Sequence, residues 1–120
     1  MSSIFNDIPS KKWIMDNELV FAILDKYPAS AGHTLFIPKR EIKTFFEINN
    51  GELKAVKDLI NQRKNEILNQ DNSVEGFNIL INNGAIAGQT VFHLHFHLIP
   101  RRKNDSSQEN FFSNLGKARS

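Results

Sequence analysis

At 120 residues, with a net charge of +2, 40% hydrophobic residues, ten phenylalanines and no cysteine, the chain suits one compact domain and excludes a disordered or disulfide-stapled one. Its longest uninterrupted apolar run, Leu19 to Leu24, is far shorter than the ~20 residues of a membrane helix. Residues 1–10 lack the charged-then-apolar order of a signal peptide, so a cytoplasmic protein with no membrane partner is expected.

In chain order, Trp13–Met15 and Leu19–Leu24 are short apolar stretches around Asp16-Asn17-Glu18, which predicts a hairpin. Residues 26–32 carry Pro28 and Gly32 and read as a loop, after which His33–Ile37 returns as a strand stopped by Pro38. A short helix is predicted over Glu41–Ile48. A longer one, capped by Asn49 or Asn50, follows with Leu53, Val56, Ile60 and Ile67 at helical spacing, interrupted by Arg63. Phe77, Ile79 and Ile81 then alternate with Asn78, Leu80 and Asn82 as a strand, and Gly84–Gly88 turns the chain into the run Val91–Pro100. From residue 104 the chain is a polar tail. The pattern predicts an α+β fold: about five antiparallel strands with one long and one short helix, in a single domain over residues 1–103.

Three of the four histidines fall at His93, His95 and His97, separated only by Leu94 and Phe96. On a strand, Phe92, Leu94, Phe96 and Leu98 would line one face, while Val91, His93, His95, His97 and Ile99 line the other. The helix is expected on the first face and the imidazoles on the second. Three readings of the row stand open. It is a solvated sheet face, although strands seldom select histidine for stability. It is a zinc site, although His93 and His97 would lie about 13 Å apart along a strand, so a carboxylate or His33 would have to complete the ligand set. Or it is a site for phosphorus chemistry, where neutral imidazole is a nucleophile near pH 7. Gly84–Gly88 just upstream would let backbone N–H groups approach an anion, with Gln89 and Thr90 as side-chain donors. Arg101, Arg102 and Lys103 are consecutive and Lys117 and Arg119 end the chain, one short basic cluster without the broad stripe of a nucleic-acid binder, which favours a small anionic ligand.

The segment Gly88-Gln89-Thr90-Val91-Phe92-His93-Leu94-His95-Phe96-His97-Leu98-Ile99, together with Pro28-Ala29-Ser30-Ala31-Gly32-His33-Thr34-Leu35-Phe36-Ile37-Pro38-Lys39, resembles the histidine triad (HIT) family of nucleotide hydrolases and transferases. The resemblance covers about residues 13 to 103. It implies a HIT-like fold and a nucleotide substrate, with His95 as the nucleophile that forms a covalent nucleotidyl-histidine. By the same resemblance His97 contacts the phosphate and the leaving oxygen, and His93 and His33 hold the imidazole network. Ile23 would line the base pocket and Asp25 would bind the ribose hydroxyls, with Asn82, Gly88, Gln89 and Thr90 around ribose and phosphates. A homodimer is implied, and neither metal nor cofactor is expected. The chain lacks the paired amino-terminal cysteines that bind zinc in some members, and Glu41 stands where many have histidine. The run Glu18-Leu19-Val20-Phe21-Ala22 looks more like the fragile-histidine-triad branch, which implies release of AMP from dinucleoside polyphosphates. A purine nucleoside phosphoramidase and a nucleotide-sensing module without turnover are the alternatives.

Overall fold

The computed structural model describes residues 3–103 and 105. All but one residue of the polar tail predicted from 104 onward therefore lies outside the described residues. Five strands, β1 (Met15–Asp16), β2 (Val20–Leu24), β3 (Thr34–Pro38), β4 (Val74–Leu80) and β5 (Phe96–Arg102), form one antiparallel sheet in the order β1-β2-β3-β5-β4. One helix, α1 (Asn50–Gln70), packs on it. The predicted α+β class and five-stranded antiparallel sheet are those of the molecule. Among the described residues, no helix is long and apolar enough to cross a membrane.

The hairpin forms where it was predicted, with its turn one residue later. Asp16 pairs with Phe21 inside the ladder, and Asn17 Oδ1 accepts the Leu19 and Val20 N–H groups at 3.1 and 3.0 Å, an Asx-type closure. Trp13 falls outside the strand and stacks on Phe21, ring centroids 4.4 Å apart. The short helix expected over 41–48 is only a 3₁₀ turn at Phe45–Glu47.

Asn49 caps α1: its side chain accepts the Glu52 N–H, and Glu52 reaches back to the Asn49 N–H. The buried stripe of α1 is Glu52, Val56, Leu59, Arg63 and Ile67, so Leu53, predicted to face the core, is exposed. Arg63 does not break this stripe, because its Nε donates to Thr34 Oγ1 on β3 at 3.0 Å and its charged head has a partner. Glu52 is likewise paired, with Arg40 at 2.7 Å, which holds its carboxyl below the usual range.

Two departures bear on the histidines. The strand predicted from Val91 begins only at Phe96, so His97 alone of the triad lies on β5 and residues 91–95 approach the sheet as an irregular segment. Pro38 has no N–H to offer a continuing ladder, and its carbonyl is taken by the His93 ring at 2.7 Å. The backbone of the approach pairs elsewhere, Leu94 N–H with the Ile42 carbonyl at 2.7 Å and the Val91 carbonyl with the Gln89 amide. The alternation survives in part: Leu94, Phe96 and Leu98 enter the core beneath α1, but Phe92 is exposed. The second departure is that the face opposite α1 is roofed. Residues 3–13 cross it, and Phe5 packs with Phe21, Ile23, Leu35, Ile37 and Val91 in a second apolar cluster.

Candidate active site

Four imidazoles meet under that roof. His33, which sits just before β3, and His93, His95 and His97 are all buried, at 1%, 0%, 3% and 0% exposure, with Asp25 beside them. Hydrogen-bond chemistry fixes their tautomers in sequence. The Ala29 N–H donates to His33 Nδ1 at 2.9 Å, so the His33 proton sits on Nε2. Nε2 donates to His97 Nδ1 at 2.8 Å and lies 3.3 Å from Asp25 Oδ2. His97 Nδ1 is then an acceptor, and its own proton belongs on Nε2. That atom is buried and has no hydrogen-bond partner among the described residues.

His95 is set by the backbone. Its Nδ1 donates to the His93 carbonyl at 2.8 Å, which places the lone pair on Nε2. The His95 and His97 rings are 5.2 Å apart. His93 donates from Nε2 to the Pro38 carbonyl and accepts the Ser3 hydroxyl on Nδ1, each at 2.7 Å. Burial lowers the pKa of His33 to about 4 and of His97 to about 3, and it lowers that of His93. Around neutrality these three are neutral rings whose hydrogen bonds have a defined direction.

Asp25, His33 and His97 also bring three possible ligand atoms within 4.8 Å of one another. Two nitrogens bound to one zinc at about 2.1 Å with tetrahedral angles stand about 3.4 Å apart, whereas His33 Nε2 and His97 Nδ1 are 2.8 Å apart. The trio as arranged is a hydrogen-bonded chain, and a metal would have to spread it.

The other sequence candidates divide. Ile23 lines a cavity of about 480 Å³ together with Ile4, Phe5, Ile8 and Leu35. Phe5 carries that cavity up to the histidines, its ring 5.1 Å from His95 and edge-on. The Asp25 carboxylate turns inward, its side chain without solvent exposure and its Oδ1 accepting the Tyr27 N–H. Gln89 is committed to its own loop: Oε1 accepts the Gly84 N–H, while Nε2 donates to the Lys43 and Val91 carbonyls. Both amide protons are used, so it shapes the turn. The N–H groups of Ala87, Gly88 and Gln89 are likewise bonded within that turn, to Gly84 and Ala85 carbonyls. Gly88 has φ +98°, and a Cβ there would stand 3.4 Å from Asn82 Nδ2, which places Asn82 against the turn. Thr90 is exposed beside it.

The sequence reading did not anticipate Ser3, Ile4, Phe5 and Ile8. The one signal was three large apolar residues, at 4, 5 and 8, in a stretch otherwise polar.

An antiparallel α+β sheet whose last strand, with the irregular segment entering it, brings three alternating buried histidines together with His33 near a small apolar cavity has the architecture of a histidine-triad protein. The HIT domain family matches residues 6–104, and the chain belongs to that family. An adenylylsulfatase of Arabidopsis thaliana is 38% identical over 92 residues, which make up 77% of this chain and 46% of that protein, so the chain spans about half its length. The solved structure of a HIT family member from Bacillus subtilis has a TM-score of 0.77 at 32% identity, covering 98% of this chain and 96% of that one. The Plasmodium falciparum diadenosine triphosphate hydrolase, in complex with Cyclomarin A, has a TM-score of 0.75 at 29% identity, covering 92% of this chain and 76% of that one. Nucleotide hydrolases are thus among the proteins this chain resembles.

Proposed function

We propose that the chain hydrolyses nucleotides substituted on the α-phosphate, releasing a nucleoside monophosphate through a covalent nucleotidyl-His95. Adenine dinucleoside polyphosphates are the first substrate class. The observation that carries this reading is the pairing of opposite capacities on adjacent rings: a lone pair on His95 Nε2 and a buried N–H on His97 that has no partner among the described residues. An unpaired buried donor costs about 1–3 kcal/mol, and a site that forms charge on phosphoryl oxygens recovers that by donating to them.

His95 Nε2 attacks the α-phosphorus. The N–P bond forms as the P–O bond to the leaving group breaks, and a terminal phosphate departs as an anion that needs no proton. The His97 N–H donates to the oxygen on which charge develops, and His95 Nδ1 keeps its proton, donating it to the His93 carbonyl throughout. Water then attacks phosphorus, the N–P electron pair returns to Nε2, and the water proton goes to solvent. Splitting one displacement into two lowers each barrier. The cavity under Phe5 and Ile23 takes the base, since its lining is largely apolar.

A second copy is proposed to pair along β4, which ends the sheet and exposes Ile79 beside a shallow groove of about 310 Å³ between Leu53, Ile60, Ile81 and Phe96. The test of the chemistry is direct. Protein mixed with diadenosine polyphosphate and quenched in base, where phosphoramidates persist, should gain the mass of one AMP on the peptide holding residues 91–100. His95→Asn should bind nucleotide yet show neither adduct nor turnover. Turnover by His95→Asn with no adduct on wild type would remove the assignment.

A further inference from the structure

Residues 3–8 roof the site, and one carboxylate pins them. Glu41 Oε1 accepts the Ser3 backbone N–H at 2.8 Å and the Asn6 amide at 2.5 Å. Both bonds tie the strap to the loop after β3. The Ser3 side chain then does something the pin alone would not require. Its oxygen accepts the Phe5 N–H at 3.1 Å and stands 2.7 Å from His93 Nδ1.

The direction of that last bond follows from the far side of the ring. The Pro38 carbonyl opposite Nε2 can only accept, so Nε2 holds the proton of the neutral ring and the Ser3 O–H must donate to Nδ1. His93 is thus held at both nitrogens, by the end of β3 on one side and by the strap on the other. Its carbonyl, in turn, holds His95 Nδ1 at 2.8 Å. Two residues past Ser3, Phe5 touches both rings, with centroids 5.8 Å from His93 and 5.1 Å from His95. Phe5, Ile4 and Ile8 at the same time form one wall of the cavity. The seated strap therefore forms the cavity wall and at the same time clamps the ring of the residue whose backbone carbonyl orients His95.

We infer that Ser3 is a positioning residue for His95, acting through His93, and that Glu41 is the anchor that keeps it in place. The inference rests on His95 being the nucleophile where turnover is measured, but the clamp itself is read independently of turnover. A displacement of about 1 Å at a reacting group costs up to a hundredfold in rate, and a lost clamp two links away should cost less. Ser3→Ala is expected to lower kcat about tenfold with KM for diadenosine polyphosphate changed less than twofold and Tm nearly unchanged. Ser3→Thr, which keeps the hydroxyl, should restore kcat.

The second readout is nitrogen NMR of the uniformly labelled full chain. The His93 Nδ1 resonance should move in Ser3→Ala toward that of a nitrogen without a hydrogen-bond donor and return in Ser3→Thr. Should the wild type prove inactive, the reading of His95 falls and this resonance alone decides the clamp. Wild-type kcat in Ser3→Ala, an unmoved His93 resonance, or a loss in kcat and Tm that Ser3→Thr does not repair would each overturn the inference.

Discussion

The His97 Nε2 proton owes its position to a backbone amide two hydrogen bonds away. Ala29 donates to His33 Nδ1, His33 donates to His97 Nδ1, and the one proton left to His97 lies on Nε2, buried and without a partner among the described residues. Burial keeps His33 at about 4 and His97 at about 3, so neither ring changes charge between pH 5 and 8. His97 is therefore a fixed hydrogen-bond donor in that range and not a cationic acid. If it acts on the developing phosphoryl charge, His97→Asn should lower kcat by about a hundredfold, on the order of 3 kcal/mol, as when one preorganised donor is deleted. The kcat/KM profile from pH 5 to 8 should keep its wild-type shape at reduced height. A limb that disappears or moves by a full unit in the variant would show that His97 itself titrates in that window.

Among the described strands, β4 lies at one edge of the sheet as β1 does at the other, and its outer side has no partner strand. It pairs only with β5, ends the sheet, and presents Ile79 at 58% exposure where simple alternation predicts a core residue. A bulge between Val74 and Gly76 shifts its register, and no strand lies beyond it among the described residues. A second copy pairing along this edge would cover Ile79 and Leu53, so Ile79→Lys should convert a dimer of about twice 13.7 kDa into monomer in sedimentation at micromolar concentration, the ammonium being costly to bury. Wild-type protein sedimenting as a monomer would remove the interface. The elements also show where sequence reading works and where it fails. The helix was legible because capping at Asn49 and the 3.6-residue period are local signals, and only its rotation was misjudged, since Arg63 and Glu52 are buried with partners that composition does not reveal. The triad was legible because imidazoles alternating with Leu94 and Phe96 survive even where the ladder does not form. The start of β5 was not, because the pairing stops at a proline carbonyl captured by a side chain 55 residues away. The strap over the site carries no periodicity, and Ser3 and Glu41 are separated by 38 positions, so only the folded chain brings the pin, the clamp and the cavity wall together.

Over the whole molecule, the buried imidazoles make stability depend on acidity. In the unfolded chain His33 and His97 titrate near the ordinary 6.5, and in the folded chain burial holds them at about 4 and about 3. Between those values the unfolded state binds more protons than the folded one, so stability is fully present above about pH 6.5 and falls as pH drops toward the folded values. The slope is about 1.4 kcal/mol per pH unit for each ring. Two units below 6.5, the pair together withdraws up to about 5 kcal/mol, comparable with the 5–15 kcal/mol that keeps a small domain folded. Exposed ion pairs such as Lys54 with Asp58 do not decide this balance, because solvent screens them. Urea midpoints measured from pH 7.5 to 4.5 should therefore be level above pH 6.5 and then decline steadily, with acid unfolding between about pH 4 and 5. His33→Gln removes one of the two rings and should flatten the decline by roughly half, even if it lowers stability at pH 7.5 through loss of the bond to His97. Midpoints that stay level down to pH 4.5 in wild type would mean that the rings accept protons inside the folded protein, and the direction-fixed imidazole chain on which the proposed chemistry depends would not exist.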